Sequence, residues 1–491
     1  MTEPARTLQA VEEVLRSADL LVETVGSAKV AVSGVSQDSR SVESGDLFLA
    51  WKGLAVDAHD YVASAAEQGA AATVVERVVD VDIPQLVVTD GRRAAALAAE
   101  AVMGYPSHDL LAVGVTGTNG KTTTAMLIQH LLGPETPTAV IGTLGVVDSD
   151  GVRPGTEGLT TPGPVQVAVW LRDLADGGLG AVVVEASSHA LEQARLDGVR
   201  FDIGIFTNLT QDHLDYHGDM AEYLEAKAHL VQLVRPYGTI IVNGDEPAWS
   251  ELHLGPRTLR TFATKSFADL TASELALEPH RTTFSLQADG ESYRVVTPLV
   301  GRYNVENALG AVAAARAAGV AMETIVERLQ TAPQVSGRLE AVVTDPFSVL
   351  IDYAHTPAAL EGALSAVKPL TRGRVIAVFG AGGDRDRTKR APMGAAARRL
   401  ADVLIVTSDN PRTEDPDAII DDVLEGVGDA EYVRFADRRE AIYHALQIAK
   451  PGDTVILTGK GHEMYQSIGG EKLPFDERAI VVGALHELGA A

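Results

Sequence analysis

Gly117-Thr118-Asn119-Gly120-Lys121-Thr122-Thr123 has the residue types of a loop that grips phosphate, placed between an apolar run from Val113 and hydroxyl residues that open an expected helix. Glycines let the backbone curl so that its N–H groups and the positive helix end face a polyphosphate. Lys121 supplies a mobile cation and Thr122 a hydroxyl for Mg²⁺. The common spacing wants glycine five residues before Gly120, where this chain has Val115 and instead offers Gly114 and Gly117. A glycine turn without a ligand is the bland alternative, but Gly-Lys-Thr directly after a buried-looking strand is much rarer than glycine turns.

Further residues could share that chemistry. Glu185 ends an apolar run and can reach Mg²⁺ directly or through water, or else merely cap a helix. His213 and His217 are four apart, a helical spacing that suggests zinc only weakly without a third ligand. Lys227, in Tyr223-Leu224-Glu225-Ala226-Lys227, reads by itself as a solvated helix lysine. Asp409-Asn410-Pro411-Arg412 could be a plain turn, as could Gln37-Asp38-Ser39-Arg40. Thr160 and Thr161 could be ordinary loop residues, whereas Arg195 is a fixed donor suited to a carboxylate or pyrophosphate. Gly380-Ala381-Gly382-Gly383 lacks the full spacing of a dinucleotide loop.

The elements that must position these residues are those of an α/β protein. Strands are expected at Leu110 to Thr116, Ala181 to Glu185, Ile203 to Asn208 and Thr239 to Asn243. They alternate with helical stretches, which predicts a mainly parallel sheet covered on both faces, with ligands at the strand carboxyl ends. A second such alternation starts near Glu340, with strands at Ser348 to Ile351, Val375 to Phe379, Val403 to Thr407 and Thr454 to Thr458. The 491 residues suggest about three domains. Divisions are expected near 105, where Gly104-Tyr105-Pro106-Ser107-His108 breaks the pattern, and near 338.

A net charge of −26 argues against long-range attraction to nucleic acid or anionic membranes, so any anionic ligand must be held locally. The absence of cysteine excludes disulfides, a thiol nucleophile and a cysteine-zinc site. Met1 to Arg6 lacks the basic start of a leader, and no stretch approaches a membrane span of ~20 apolar residues. A soluble, cytoplasmic consumer of ATP is expected.

Together these motifs resemble the Mur ligases, ATP-dependent amide-forming enzymes of peptidoglycan synthesis. The likeness rests on the phosphate loop, Glu185, His213, Lys227, Gly301 to Asn307, Ser336-Gly337-Arg338 and Asp352-Tyr353-Ala354-His355, in that order. It implies a UDP-binding domain at 1–105, a central P-loop ATPase-like domain at 106–338 and a C-terminal Rossmann-like domain at 339–491 that binds the amino acid. It further implies that Gly117 to Thr123, Asn307, Arg338, Asp352 and His355 bind ATP. Thr122, Glu185, His213 and a carbamylated Lys227 would hold two Mg²⁺, with Lys121, Glu185, His213 and Lys227 catalytic. Gln37, Ser39, Thr160, Thr161, Ser187, Gln193 and Arg195 would bind the nucleotide-sugar peptide.

Within the family the chain looks like the MurE type, which adds the third amino acid to UDP-N-acetylmuramoyl-L-alanyl-D-glutamate. Asp409 to Arg412 resembles the signature of members that take meso-diaminopimelate, joined by Arg385, Gly459 and Glu463. A guanidinium can grip the second amino-carboxylate end of that amino acid, and L-lysine would leave it unpaired. The alternatives are an L-lysine-adding enzyme, a folylpolyglutamate synthetase-like ligase and a nucleotide-binding switch without ligase activity. A monomer is expected.

Overall fold

The computed structural model describes residues 7–53, 56–155, 159–278 and 281–488; Met1 to Arg6, on which part of the leader argument rests, lie outside them. Three large sheets follow one another along the described chain, and the hairpin of Tyr465–Ile468 with Glu471–Pro474 makes a small fourth. The first has five strands in the order Leu21–Val25, Gln85–Val88, Ala72–Val75, Asp46–Leu49, Gly34–Ser36. The helices Leu8–Ser17 and Gly91–Val102 bury Leu8, Val11, Leu15, Ala94 and Ala98 in the core shared with Leu47, Val74 and Leu86. Asp90 caps the second of these helices by accepting from Arg93 N.

The central sheet has eleven strands. Its middle is parallel, with Leu111–Thr116 flanked by Ala181–Glu185 on one side and Phe201–Phe206 on the other. Both edges are antiparallel, at Gly145–Asp148 with Gly151–Arg153 and at Leu270–Glu278, Arg281–Ala288 and Glu291–Thr297. The expected parallel sheet is therefore extended by hairpins. Their signal was legible in Arg281–Ala288, where Thr282, Phe284, Leu286 and Ala288 alternate inward.

Gly114 has a packing reason rather than a phosphate-binding one. It pairs with Gly204 on the neighbouring strand, and a Cβ at Gly114 would lie 2.8 Å from Leu230 Cδ1. The two glycines form a dent that lets the helix Met220–Leu233, which carries Lys227, settle close to the sheet.

The third sheet runs Glu340–Val343, Ser348–Asp352, Thr454–Thr458, Val375–Phe379, Val403–Thr407, Val433–Phe435, parallel except for the first strand. Four adjacent carboxyl ends thereby bring Asp352, Gly459, Gly380 and Asp409 to one rim, where an open α/β sheet presents ligands. Expected and observed strands coincide at Ala181–Glu185, Val375–Phe379, Val403–Thr407 and Thr454–Thr458.

Candidate active site

The phosphate loop leaves the sheet at Thr116 and enters the helix Lys121–Leu132. Gly117 (φ +143°) and Gly120 (φ +86°) both need the freedom of glycine: added Cβ atoms would lie 1.9 Å from Thr207 Oγ1 and 2.2 Å from Asn307 Oδ1. Asn208, just beyond its strand, accepts from Thr118 N (2.8 Å, at its carbonyl) and from Asn119 N (2.9 Å, at Oδ1). The loop is thus stitched in place, and the unpaired amides of the first helical turn remain for an anion. Lys121 folds back over the loop, its Nζ donating to Gly117 O and Thr118 O at 2.9 Å each. Burial depresses its basicity, against the pull of Glu185.

Glu185 does not cap the following helix; Ser187 does, accepting from Ala190 N. The buried carboxylate instead accepts from Thr122 Oγ1 (2.9 Å), Thr143 Oγ1 (3.0 Å) and Thr143 N (3.0 Å). Arg338 donates to Thr122 Oγ1 at 3.3 Å from beyond the central sheet and lies over the Tyr353 ring. Asp352 is buried beneath and accepts from Leu339 N (2.7 Å) and Ala354 N (2.8 Å), so it shapes the backbone around Arg338. Asn307 is likewise buried, against Gly120 and Thr124, and Thr123 is buried in the helix. His355 lines the cleft with its Nδ1 donating to Tyr353 O (2.8 Å), which leaves Nε2 free.

Lys227 is not a solvated lysine: it is 1% exposed, and its Nζ donates to Gly117 O at 2.9 Å, the same carbonyl that Lys121 uses. Burial first, then the neighbouring Lys121 charge, hold its amine well below the ordinary lysine range, with Asp212 opposing. Tyr223 supports it from below, with its ring 4.4 Å from Nζ and its hydroxyl 3.2 Å from Thr118 Oγ1. His213 is held at φ +55° before the short helix Leu214–His217, its Nε2 3.4 Å from Asp212 Oδ2. Burial in the cleft pushes its basicity down, to about 3, against Asp212, so its imidazole is neutral and able to ligate. His217 turns away to Ser188 Oγ (2.9 Å), and the described residues contain no group of three or more histidines and carboxylates able to hold a metal, so the zinc reading fails.

A cleft of about 440 Å³ between the first two sheets is lined by Gln37, Trp51, Arg92, Gln193 and Arg195. Arg195 donates to Gln193 Oε1 (2.7 Å) and Thr161 O (2.8 Å). Thr161 is fully buried; its hydroxyl donates to Glu185 O (2.6 Å) and accepts from Ser187 N (3.0 Å), bolting the two segments together. Ser187 also touches Thr161, at 3.1 Å, while Thr160 faces the neighbouring cleft that holds the phosphate loop. Ser39 is buried in the single turn Ser39–Ser41 and does not line this 440 Å³ cleft.

The phosphate-loop cleft, about 470 Å³, has Lys121, Thr122, Glu185 and His213 on one wall and Arg385, Asp409, Asn410, Arg412, Gly459 and Glu463 on the other. Arg412 sits at φ +55°, donating from its backbone to Ser467 O (2.9 Å) and from Nη1 to Gly383 O (2.6 Å). Asp409 to Arg412 is therefore not a plain turn: Arg412 bridges to Ile468, the turn closed by Glu414 N on Pro411 O begins only at Pro411, and the segment presents side chains to the cleft. Pro411 contributes only backbone: a Cβ at Gly383 would fall 2.0 Å from Pro411 O, and one at Gly380 would fall 2.0 Å from Thr407 O. These contacts explain the glycines of 380–383 by close chain crossing and remove the dinucleotide reading.

Two buried arginines beneath this rim had no signal in the sequence. Arg390 ties Gly382 O to Glu414 and Asp422. Arg438 donates to Ser408 O (3.3 Å), Thr458 O (2.8 Å) and Glu477 Oε1 (2.7 Å), joining the strand ends that carry Asp409 and Gly459. Arg438→Met leaves Glu477, 2% exposed, as an uncompensated buried charge. A loss of about 3–5 kcal/mol is expected in denaturant unfolding, and a loss below about 1 kcal/mol would remove the strut role. Lys460 and Tyr353 were also missed, though Lys460 lies between two glycines, a spacing typical of tight turns.

Comparison with known proteins agrees along the whole chain. Family profiles match for the Mur ligase catalytic domain at residues 31–113, the middle domain at 115–315 and the glutamate ligase domain at 337–461. A UDP-N-acetylmuramoyl-L-alanyl-D-glutamate–2,6-diaminopimelate ligase of Geobacillus thermodenitrificans is 42% identical over 93% of this chain and 95% of its own length. The protein of the same name from Geobacter metallireducens is 43% identical over 95% and 96%. A solved structure of a ligase with that name superposes with a TM-score of 0.71, at 33% identity, over 99% of this chain and 100% of the other. With likeness of that strength extending through all three sheets, the chain belongs to the Mur ligase family.

Proposed function

We propose that this protein is an ATP-dependent ligase that joins meso-diaminopimelate to UDP-N-acetylmuramoyl-L-alanyl-D-glutamate, a step of peptidoglycan precursor synthesis. The observation that carries the reading is one cleft with the phosphate loop on one wall and the Asp409 to Arg412 turn on the other. A phosphorylated carboxylate and an incoming amine can meet there. The three main sheets support dividing the chain after 105 and after 338. No helix among the described residues is long and apolar enough to cross a membrane, and dependence on ATP favours a cytoplasmic setting.

The chemistry follows from the groups present. A carboxylate is a poor electrophile, so the γ-phosphoryl group of ATP is transferred to the free D-glutamate side chain, forming an acyl phosphate and ADP. The amine attacks that carbonyl, and the tetrahedral intermediate expels phosphate. Lys121 and the loop amides stabilise charge on the transferring group without a covalent enzyme nucleophile. Thr122 and Glu185 are hard oxygen donors at the head of the loop, which fits Mg²⁺ held by few side chains and by substrate phosphates. His213, neutral in its cleft, and Lys227 as a carbamate would hold a second ion. Bound there, Mg²⁺ supplies neutralisation of phosphate charge. Gln37, Gln193 and Arg195 hold the nucleotide-sugar peptide, while Thr161 and Ser187 brace its strand end. Arg338 and His355 face ATP, with Asn307 and Asp352 positioning the backbone behind them. Closing the cleft brings the reactants to about 3–3.5 Å and keeps water from the acyl phosphate.

Amino-acid choice tests the proposal. Arg412 and Arg385 face the cleft, and a far carboxylate satisfies them where L-lysine does not. Phosphate release should require nucleotide peptide and amino acid together, with diaminopimelate far better than lysine. Arg412→Ala should lower kcat/KM for diaminopimelate by about ten- to a hundredfold, the worth of one charge-assisted contact, with the KM for ATP unchanged. Equal use of lysine by the wild type, or phosphate release without either substrate, would remove the assignment.

A further inference from the structure

Lys460 has no exposed surface, yet it lies behind the amino-acid wall of the cleft. Its ammonium has three N–H groups. They face Asn410 Oδ1 at 3.0 Å, Glu463 Oε2 at 3.1 Å and Asp409 Oδ1 at 3.6 Å. The turn is built to drive it inward. Gly459 (φ +113°) and Gly461 (φ +55°) flank it, and a Cβ at Gly461 would fall 2.6 Å from Tyr353 Cβ.

Asn410 is locked by the same arrangement. Its Oδ1 accepts from Lys460 and from Ser467 N (2.9 Å), and its Nδ2 donates to Glu463 Oε2 at 2.8 Å. Only one Asn410 N–H remains for a ligand. Glu463 Oε2 is thus fully engaged by Lys460 and Asn410, and Oε1 is left to face the cleft. Asp409, 6% exposed, presents an Oδ1 that accepts no hydrogen bond from the described residues, the Lys460 ammonium standing off at 3.6 Å. Two carboxylates this close disfavour each other's charge.

Resting on the reading of this cleft as the amino-acid site, we infer that Lys460 is a positioning residue that holds the Glu463 carboxylate as an anion with one oxygen turned toward the substrate's ammonium group. It does not itself touch substrate. The groups that face Glu463 are Asp409, Lys460, the phenols of Tyr353 and Tyr465, and, across the cleft mouth, Arg385 and Arg412. Burial and Asp409 raise the Glu463 carboxyl above the usual range, and Lys460 is the cation in contact that opposes this. Removing Lys460 moves it higher still. Glu463 is then more readily protonated than in the wild type and regains its charge as pH rises.

The test is the ratio of variant to wild-type KM for diaminopimelate across pH 6.5 to 9, which cancels titration of the substrate amine. For Lys460→Met the ratio should be about ten- to a hundredfold at the acid end of that range, one lost charge-assisted contact. It should fall toward one as pH rises, with kcat and the KM for ATP nearly unchanged. If that variant does not fold, Lys460→Gln, which still donates to Asn410 and carries no charge, reads the same ratio. Because the chain has no cysteine and position 460 is fully buried, Lys460→Cys can be unfolded in denaturant, alkylated at one place with 2-bromoethylamine and refolded, and the restored ammonium should return the KM to near wild type. A ratio independent of pH, or an equal rise in the KM for ATP, overturns the inference and leaves a structural lysine. A wild-type protein that releases no phosphate on adding diaminopimelate overturns the function proposed above instead.

Discussion

Lys121→Ala should lower kcat by about a thousandfold or more while the protein melts as the wild type does. The size follows from position: in the proposed reaction the lysine stands where charge develops on the transferring phosphoryl group, and a preorganised donor there is worth about 10²–10³ even without a full charge. The intact fold follows from its contacts, since among the described residues Nζ hydrogen-bonds only to Gly117 O and Thr118 O of its own loop. Glycine conformations and the Asn208 contacts, not the lysine, hold that loop. Phosphate release with all three substrates, paired with a denaturant melt, decides the matter. A folded variant within tenfold of wild type means that another group carries the transferring charge.

The sequence revealed most where chemistry constrains residue type and spacing together. Gly120-Lys121-Thr122 after a buried strand could be read directly, and so could the strands whose carboxyl ends carry Glu185 and Asp409. Residues that act through burial were harder to see. Lys227 on a helix is written like any solvated lysine, and its depth is set by Gly114 and Gly204, remote in sequence, which let Leu230 sink into the sheet. Arg390, Arg438 and Lys460 are charged residues of ordinary appearance that each have a partner 24 to 50 residues away, namely Glu414, Glu477 and Asn410. Asp352 and Asn307 were legible only by resemblance: Asp352 accepts from the backbone of Leu339 and Ala354, and Asn307 packs on Gly120 and bonds to the side chains of Thr124 and Asn304. The antiparallel edge from Leu270 to Thr297 showed alternation but no motif, and nothing in it bears on the site.

Lys227→Ala should also abolish turnover, by at least about a hundredfold, because it removes a group that the proposed second Mg²⁺ requires. The physical case begins with two amines on one carbonyl: Lys121 and Lys227 both donate to Gly117 O at 2.9 Å. Two buried ammonium groups so placed repel, and Lys227, 1% exposed, is the one driven toward the neutral amine. A neutral amine adds CO₂, giving a carbamate and releasing one proton. The product is an anion, so the repulsion from Lys121 becomes attraction, and oxygen atoms replace a nitrogen that could not ligate Mg²⁺. Three outcomes follow from this chain of causes. A short carboxylic acid such as propionate should restore part of the activity of Lys227→Ala, since the shortened side chain leaves room for it and its carboxylate supplies the missing oxygens. Exchange into CO₂-free buffer should lower wild-type activity, and bicarbonate should return it. A carbamate carbon should appear by ¹³C NMR on labelling with ¹³CO₂ and be missing from Lys227→Ala. An active wild-type enzyme with no labelled carbamate would show that Lys227 works as an amine, and the second ion would then need another ligand.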